Sequence, residues 1–238
     1  MNRQSNTYTI IYSAVLVLVV GIVLSVVYQA LRPAQEENIA NDTKRQILAA
    51  ARIVPEEGQN VADLYAGHIK DSYVVNAEGQ KIPDAPEAFK VNVGAQSKLP
   101  AAERQLPVFE CETPQGMKYI LPVYGAGLWG PIWGYISLDA DGKTIYGAYF
   151  AHQGETPGLG AEIEKNAFRD QFDGKAIFDA AGEFTSVAVV KAGQEPADRP
   201  WVHAVSGGTI TSTGVSKMLY DCLAPYSAFL HNLNTTEK

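Results

Sequence analysis

The sequence predicts an α+β protein: one N-terminal membrane-spanning helix, then a single domain with a mainly antiparallel sheet and flanking helices. The fold class rests on three features of the sequence. Residues 4–31 carry no charged side chain. The middle of the chain is rich in β-branched and aromatic residues interrupted by an Asp-Gly turn. Its last part places apolar residues at helical spacing. Strands that precede helices rather than alternating with them point to α+β and not to a parallel α/β sheet.

The N-terminal run is apolar on every face through residues 10–27. At 1.5 Å per residue, ~20 residues cross a hydrocarbon core of ~30 Å. Val and Ile are mediocre helix formers in water, but lipid forces the backbone to satisfy its own hydrogen bonds. Tyr8 and Tyr28 stand near the two ends, where interfacial aromatics belong. A cleaved signal peptide would carry an apolar region of only about 7–15 residues before a small-residue cleavage site. Here the run is longer, and Tyr28-Gln29-Ala30-Leu31-Arg32-Pro33 is a poor site. The run is therefore read as an uncleaved anchor in a lipid bilayer. Arg3 on one side against Arg32, Lys44 and Arg45 on the other leans towards a cytoplasmic body by positive charge alone.

Composition narrows the remaining possibilities. A chain of 238 residues that is 46% hydrophobic and 10% aromatic is globular, with one or two domains. Nineteen Lys and Arg against 26 Asp and Glu leave a net charge of −7 without a basic cluster, which excludes nucleic acid as a partner. Two cysteines form neither a scaffold nor a CxxC pair. Cys111 and Cys222 either pair or sit as buried free thiols, and Cys222 falls on an apolar helix face. His68, His152, His203 and His231 lack metal-ligand spacing, and His152, next to the loop over 153–160, reads as a surface imidazole in preference to one facing a ligand there.

The organisation follows: an anchor over residues 1–33, a helical and loop part over 34–100, and a domain core over 101–238. Residues 36–52 read as a helix leaving the membrane, stopped at Val54-Pro55. A short strand over 73–75 and a turn over 76–79 follow, then loop over 83–100. Residues 118–124 form a strand whose Pro122 suggests an edge or an end. Residues 134–139 and 144–151 flank Asp141-Gly142, a hairpin signal. Residues 160–172 read as helical, with Glu162 and Glu164 on a solvated face, and 186–190 as a strand. From Thr213 the residues Val215, Met218, Leu219, Cys222, Leu223, Tyr226, Phe229 and Leu230 follow helical periodicity, with a kink at Pro225.

Two loops carry the candidate chemistry. Gln153-Gly154-Glu155-Thr156-Pro157-Gly158-Leu159-Gly160 combines glycines that allow close backbone approach with a proline that stiffens the turn. Residues 206–215 hold five hydroxyl residues and three glycines before the last helix. A helix start offers unpaired N–H groups and the positive end of the dipole, a place for a phosphate. An ordinary N-cap explains one such hydroxyl. Lys217 stands inside the helix, out of place for a P-loop, so nucleotide hydrolysis is not supported.

Ser206-Gly207-Gly208-Thr209-Ile210-Thr211 resembles the covalent flavin-attachment motif of the FMN-binding domain family, Ser/Thr-Gly-Ala-Ser/Thr-x-Ser/Thr, with Gly208 where Ala is usual. Gly125-Ala126-Gly127-Leu128-Trp129-Gly130, Gly134-Tyr135 and residues 154–160 are similar to other signatures of that family. The anchor, the length and the order of parts resemble the C subunits of Na+-translocating NADH:quinone oxidoreductases. The G-type subunit of an Rnf complex shares the flavin motif and is the second choice.

The resemblance implies FMN joined through a phosphoester to Thr211 by a flavin transferase, with Thr209 as the alternative acceptor. Glu155, Thr156, Gly158 and Leu159 are then expected at the flavin ring. Ser206, Gly207, Thr209 and Lys217 are expected near the phosphate, and Leu128 and Trp129 at the margin. The implied role is electron transfer: from NADH through another subunit's flavin and iron–sulfur centre, then this FMN, towards quinone, coupled to Na+ export. Other membrane subunits of one complex are the implied partners. The implied location is a bacterial inner membrane with the domain outside the cytoplasm, against the charge count; acidic Glu36 and Glu37 beside Arg32 weaken that count. Two further readings compete: a non-redox membrane-anchored binding domain, and a hydrolase using Ser206 or Ser212, for which neither Gly-x-Ser-x-Gly nor an evident base is present.

Overall fold

The structure is a computed structural model that describes residues 6–236. Arg3, which enters the charge count, lies outside the described residues. The chain divides into two compact units, the first ending at Thr43 and the second starting at Lys44. Helix α1 runs Asn6–Ala50, and among the described residues it is the one helix long and apolar enough to span a bilayer. Its apolar side chains through Leu31 are exposed, as a lipid-facing surface must be. The sequence predicts an anchor over residues 1–33 and a separate helix over 36–52; α1 runs through both, with Pro33 inside it. A proline removes a single hydrogen bond, and strong helix-forming neighbours on both sides tolerate that loss.

In the second unit, Gln46, Ile47, Leu48 and Ala50 are buried. Trp133 Nε1 donates to Gln46 Oε1 at 3.0 Å. The helix ends where Arg52 adopts φ 60°, a left-handed turn that Ile53 N–H closes onto Leu48 O at 3.0 Å. This strained non-glycine position is held because the Arg52 guanidinium pairs with Asp173 at 2.5 Å and lies 5.0 Å from the Tyr146 ring centroid.

Helix α2 (Val61–His68) starts at Asn60, whose side chain accepts from Ala62 N and Asp63 N. Strand β1 (Ile69–Val75) follows. The segment read as loop over 83–100 contains a 3-10 turn, Ala88–Lys90, and a single-turn helix α3, Val93–Gln96, capped by Asn92. Strands β2 (Leu106–Thr113), β3 (Gly116–Ala126), β4 (Pro131–Asp139) and β5 (Ile145–His152) complete a five-stranded sheet in chain order. Every neighbour is antiparallel. The β4–β5 turn is the one expected: Asp141 accepts from Lys143 N and Thr144 N, and Gly142 takes φ 63°.

Pro122 does not mark an edge, because β3 is the central strand. The β2–β3 pairing runs from Thr113↔Gly116 to Phe109↔Ile120, while β3–β4 pairing continues to Ala126↔Pro131. Extending the β2 register would set Pro107 opposite Pro122, two residues without N–H donors, so the ladder stops there on one side only. Strand β2 itself is not apparent from the sequence, because both sheet faces are covered and its Leu-Pro-Val-Phe-Glu-Cys-Glu-Thr alternates weakly.

On one face Leu121, Val123, Ile132, Ile136 and Phe150 join the main core; on the other Val74, Phe109, Cys111 and Ile120 pack with Ile47 and Ala50. The segment 160–172 is not one helix. It is a 3-10 turn Gly160–Glu164, a single turn α4 (Asn166–Arg169) and another 3-10 turn Asp170–Phe172, folded so that Phe168 and Phe172 reach Phe150. Strand β6 (Ala188–Val190) pairs parallel with β7 (Trp201–His203), a strand that the sequence does not predict. Helix α5 (Thr209–Leu223) begins earlier than the expected Thr213, a 3-10 turn takes up Pro225, and α6 (Ser227–Thr236) ends the described chain. All eight residues predicted for the apolar helical face, Val215 through Leu230, are buried.

Cys111 and Cys222 are free buried thiols. Burial pushes Cys111 from 9.0 up to about 11 and moves Cys222 the same way. The neutral thiol is therefore favoured in the fold: its stabilising share is full below pH 9 and is lost as pH rises towards 11. Both thiols should resist alkylation at pH 8 in the native protein and react at once in denaturant; fast native labelling would contradict the burial. The Tyr226 hydroxyl, also buried, donates to Pro107 O at 2.8 Å, beside the stopped ladder. Tyr226→Phe should lower unfolding stability by about 1–3 kcal/mol in a denaturant titration. An unchanged midpoint would show that the carbonyl has another donor.

Candidate functional site

Three segments converge at one end of the sheet. The β3–β4 turn brings Leu128 and Trp129, closed by Gly127 N–H to Gly130 O at 2.8 Å. The loop after β5 brings residues 153–160. The first turn of α5 brings Thr209, Ile210 and Thr211. Close packing sets the helix in place: a Cβ on Gly214 would lie 2.3 Å from Ala126 O, and one on Gly125 would lie 2.7 Å from Met218 Cβ. Only glycines at these positions let α5 approach the end of β3 so nearly.

The segments enclose a cleft of about 340 Å³. Its floor is a hydrogen-bonded pair. Thr211 Oγ1 donates to Glu155 Oε2 at 2.5 Å, with Thr211 1% and Glu155 5% exposed. The other carboxylate oxygen, Glu155 Oε1, accepts from Trp129 N–H at 2.8 Å. Glu155 N–H donates to His152 Nδ1 at 3.1 Å, which leaves Nε2 to carry the imidazole proton beside Glu164. The walls are apolar: Leu128, Trp129, Leu159 and Ile210 all line the cleft and remain exposed, Trp129 at 68%. Glu155 is the sole ionisable residue among those lining the cleft.

Of the residues singled out from sequence, the cleft gathers Leu128, Trp129, Glu155, Thr156, Leu159, Gly207, Thr209 and Thr211. Ser206, Gly158 and Lys217 do not line it. Gly158 sits in the loop above, where its N–H donates to Glu162 Oε1 at 3.0 Å. Lys217 pairs with Asp221 one turn further along α5, on an exposed face. Thr209 is exposed, and its carbonyl accepts from Thr213 Oγ1. Ser212 Oγ accepts from Val205 N–H at 3.0 Å.

Sequence reasoning missed Gly160, Gly208 and Ile210 as lining residues. Ile210 carried a signal: an apolar residue between two threonines faces outward when the helix starts at Thr209. Two expectations are corrected. Glu162 and Glu164 do not stand on a solvated helix face; they brace the loop through Gly158 N–H and His152 N–H. His152 is no surface imidazole, since its side chain is 16% exposed and turned into that bracing.

The sequence matches the FMN-binding domain family over residues 127–224, a span that contains the whole cleft. The C subunit of the Na(+)-translocating NADH-quinone reductase of Pseudomonas aeruginosa is 32% identical, with 99% of each chain covered. Its counterpart from Yersinia pestis is 32% identical over 90% of this chain and 87% of its own. Among solved structures, the C subunit from Parabacteroides distasonis is 47% identical and superposes with a TM-score of 0.77, covering 84% of this chain and 96% of that one. NqrC of Shewanella oneidensis is 27% identical with a TM-score of 0.67, over 82% and 98%. On these whole-length similarities, the chain belongs to the family of C subunits of Na(+)-translocating NADH-quinone reductases.

Proposed function

We propose that this chain is the subunit of a Na+-translocating NADH-quinone reductase that carries FMN as a phosphoester on Thr211. The observation that carries the reading is Thr211 itself. It is a hydroxyl in the first turn of a long helix, at the floor of a cleft with an otherwise apolar wall. The parts of the cleft fit the parts of the cofactor. A phosphate is favoured where the first N–H groups of α5 lack intrahelical partners and the helix dipole is positive. A flat, largely apolar ring system suits Leu128, Trp129, Leu159 and Ile210. Bound FMN supplies reversible acceptance and release of electrons.

The chain's own residues hold, orient and shield. The helix N–H groups offset the phosphate charge. Leu128, Trp129, Leu159 and Ile210 would exclude water from a bound ring, and the exposed rim stands open to a partner. Such an open rim suits exchange of electrons with other subunits of the complex and does not suit turnover of a free substrate. A covalent tether matters on the extracytoplasmic side of a bacterial inner membrane, where a dissociated cofactor would be lost. We place the domain there, with α1 as its single lipid anchor. A flavin transferase is the partner in maturation. The Rnf alternative is less favoured because the whole-length similarities are to C subunits. The hydrolase reading loses ground because Ser212 is committed to the Val205 backbone.

Co-expression with a flavin transferase should give a fluorescent band under ultraviolet light on a denaturing gel. Thr211→Ala should abolish the band, and Thr209→Ala should leave it. A band that survives Thr211→Ala, or one that Thr209→Ala removes, would overturn the assignment. Protease added outside intact spheroplasts should digest the domain; full protection would put it in the cytoplasm.

A further inference from the structure

Attachment of FMN at Thr211, the premise on which this proposal rests, raises a question of access. In-line phosphoryl transfer needs the attacking oxygen on one side of phosphorus and the leaving group on the other. The Thr211 hydroxyl has no such room. Its side chain is 1% exposed and its proton is already donated to Glu155. The loop presses on it from above: a Cβ on Gly160 would stand 2.6 Å from Thr211 Oγ1 and 2.3 Å from Glu155 Oε2. Beside it, Leu159 Cδ2 would lie 2.5 Å from a Cβ on Gly207, so this side chain rests directly on the attachment motif.

We infer that the loop over residues 153–160 is a cover that must open for flavin attachment, and that Glu155 is the latch holding it shut in the unmodified chain. The two glycines flanking the loop's tip stand in open space, and besides Glu155 the tip is tied by Gly158 N–H to Glu162 Oε1. A Cβ at Gly154 or Gly158 would meet nothing within 4 Å, and Gly158 takes φ 76°. Pro157 stiffens the tip between them. The bonds that tie Glu155 down are few: Thr211 Oγ1 and Trp129 N–H on its carboxylate, and His152 Nδ1 on its own N–H. The first two fall on the carboxylate and are charge-assisted, and the first joins two buried side chains.

The reaction explains why the latch works in one direction. A flavin dinucleotide is the donor class the chemistry requires, because a phosphoanhydride provides a good leaving group. The bond from Thr211 Oγ to phosphorus forms and the anhydride P–O bond breaks. A nucleoside monophosphate leaves with the bridging oxygen, and the hydroxyl proton passes to the transferase or solvent. Oγ is then an ester oxygen with no proton to donate. Glu155 Oε2 loses its donor and gains an anionic phosphodiester as neighbour, which repels it strongly in a water-poor site. The carboxylate leaves the position it holds in the unmodified chain, so Glu155 acts as a positioning residue before attachment and is released after it.

A latch and a general base have opposite signatures. The test uses the full-length chain in detergent, a purified flavin transferase and saturating flavin dinucleotide, with the initial rate of fluorescent labelling as readout. Glu155→Ala removes the latch and should be labelled faster than wild type, roughly tenfold or more given the usual strength of a charged hydrogen bond. Glu155→Gln keeps the size and weakens the bond, and should fall between. Hydrogen exchange over residues 153–160 should quicken in both unmodified variants. Labelling no faster than wild type in both would overturn the latch, and a fall would identify Glu155 as a proton acceptor. Where Glu155→Ala fails to fold, the isosteric Glu155→Gln carries the comparison. Wild-type chain labelled elsewhere than Thr211 would remove the attachment reading itself, a result separate from the rates.

Discussion

Backbone contact between α5 and the end of β3 is the constraint from which the site follows. Gly214 faces the Ala126 carbonyl and Gly125 faces Met218, each at a separation no Cβ would allow. The main core holds the helix at that distance through Val215, Met218, Leu219 and Leu223. With the helix so close, its first turn lies among the β3–β4 turn and the loop after β5. Thr211 then meets Glu155, and Glu155 meets Trp129 N–H. Small residues in the sheet end and in the helix therefore decide where a polar hydroxyl can be buried, and a buried hydroxyl needs a partner.

The cleft divides its chemistry between floor and rim. The floor is polar, buried and tightly hydrogen-bonded; the rim is apolar and exposed. Four large apolar side chains left in water are an unfavourable surface unless something covers them. On the proposed reading a tethered flavin would cover that surface, and the protein would tune the ring by dielectric and contact. The bracing by Glu162, Glu164 and His152 shows where rigidity is placed. His152 N–H on Glu164 fixes the start of the loop and Gly158 N–H on Glu162 ties its tip, while Leu159 packs over Gly207.

Much of this was legible in the sequence, for physical reasons that differ by element. The anchor announced itself because lipid accepts no charge over a helix length. The β4–β5 hairpin announced itself because Asp141-Gly142 supplies both a side-chain acceptor and a positive φ. The apolar face of α5 and α6 showed in its period. Strand β2 did not, because a sheet covered on both faces has no polar alternation to read. The segment 160–172 has helical composition but is broken into short turns that place Phe168 and Phe172 against Phe150, a tertiary demand that local propensity does not reveal. At the site, the motifs indicated which loops mattered. They did not reveal that Glu155 and Thr211, fifty-six positions apart, are joined by a buried hydrogen bond.

The proposed phosphoester on Thr211, at the floor of the cleft, is the central claim. Intact-mass and peptide-mass spectrometry of the chain, purified from cells that make its whole complex, tests this most directly. The peptide containing Thr211 should carry the added mass of one FMN less one water, with fragment ions that place it on that residue. The same peptide at its unmodified mass, with no flavin adduct on any other, would contradict the account.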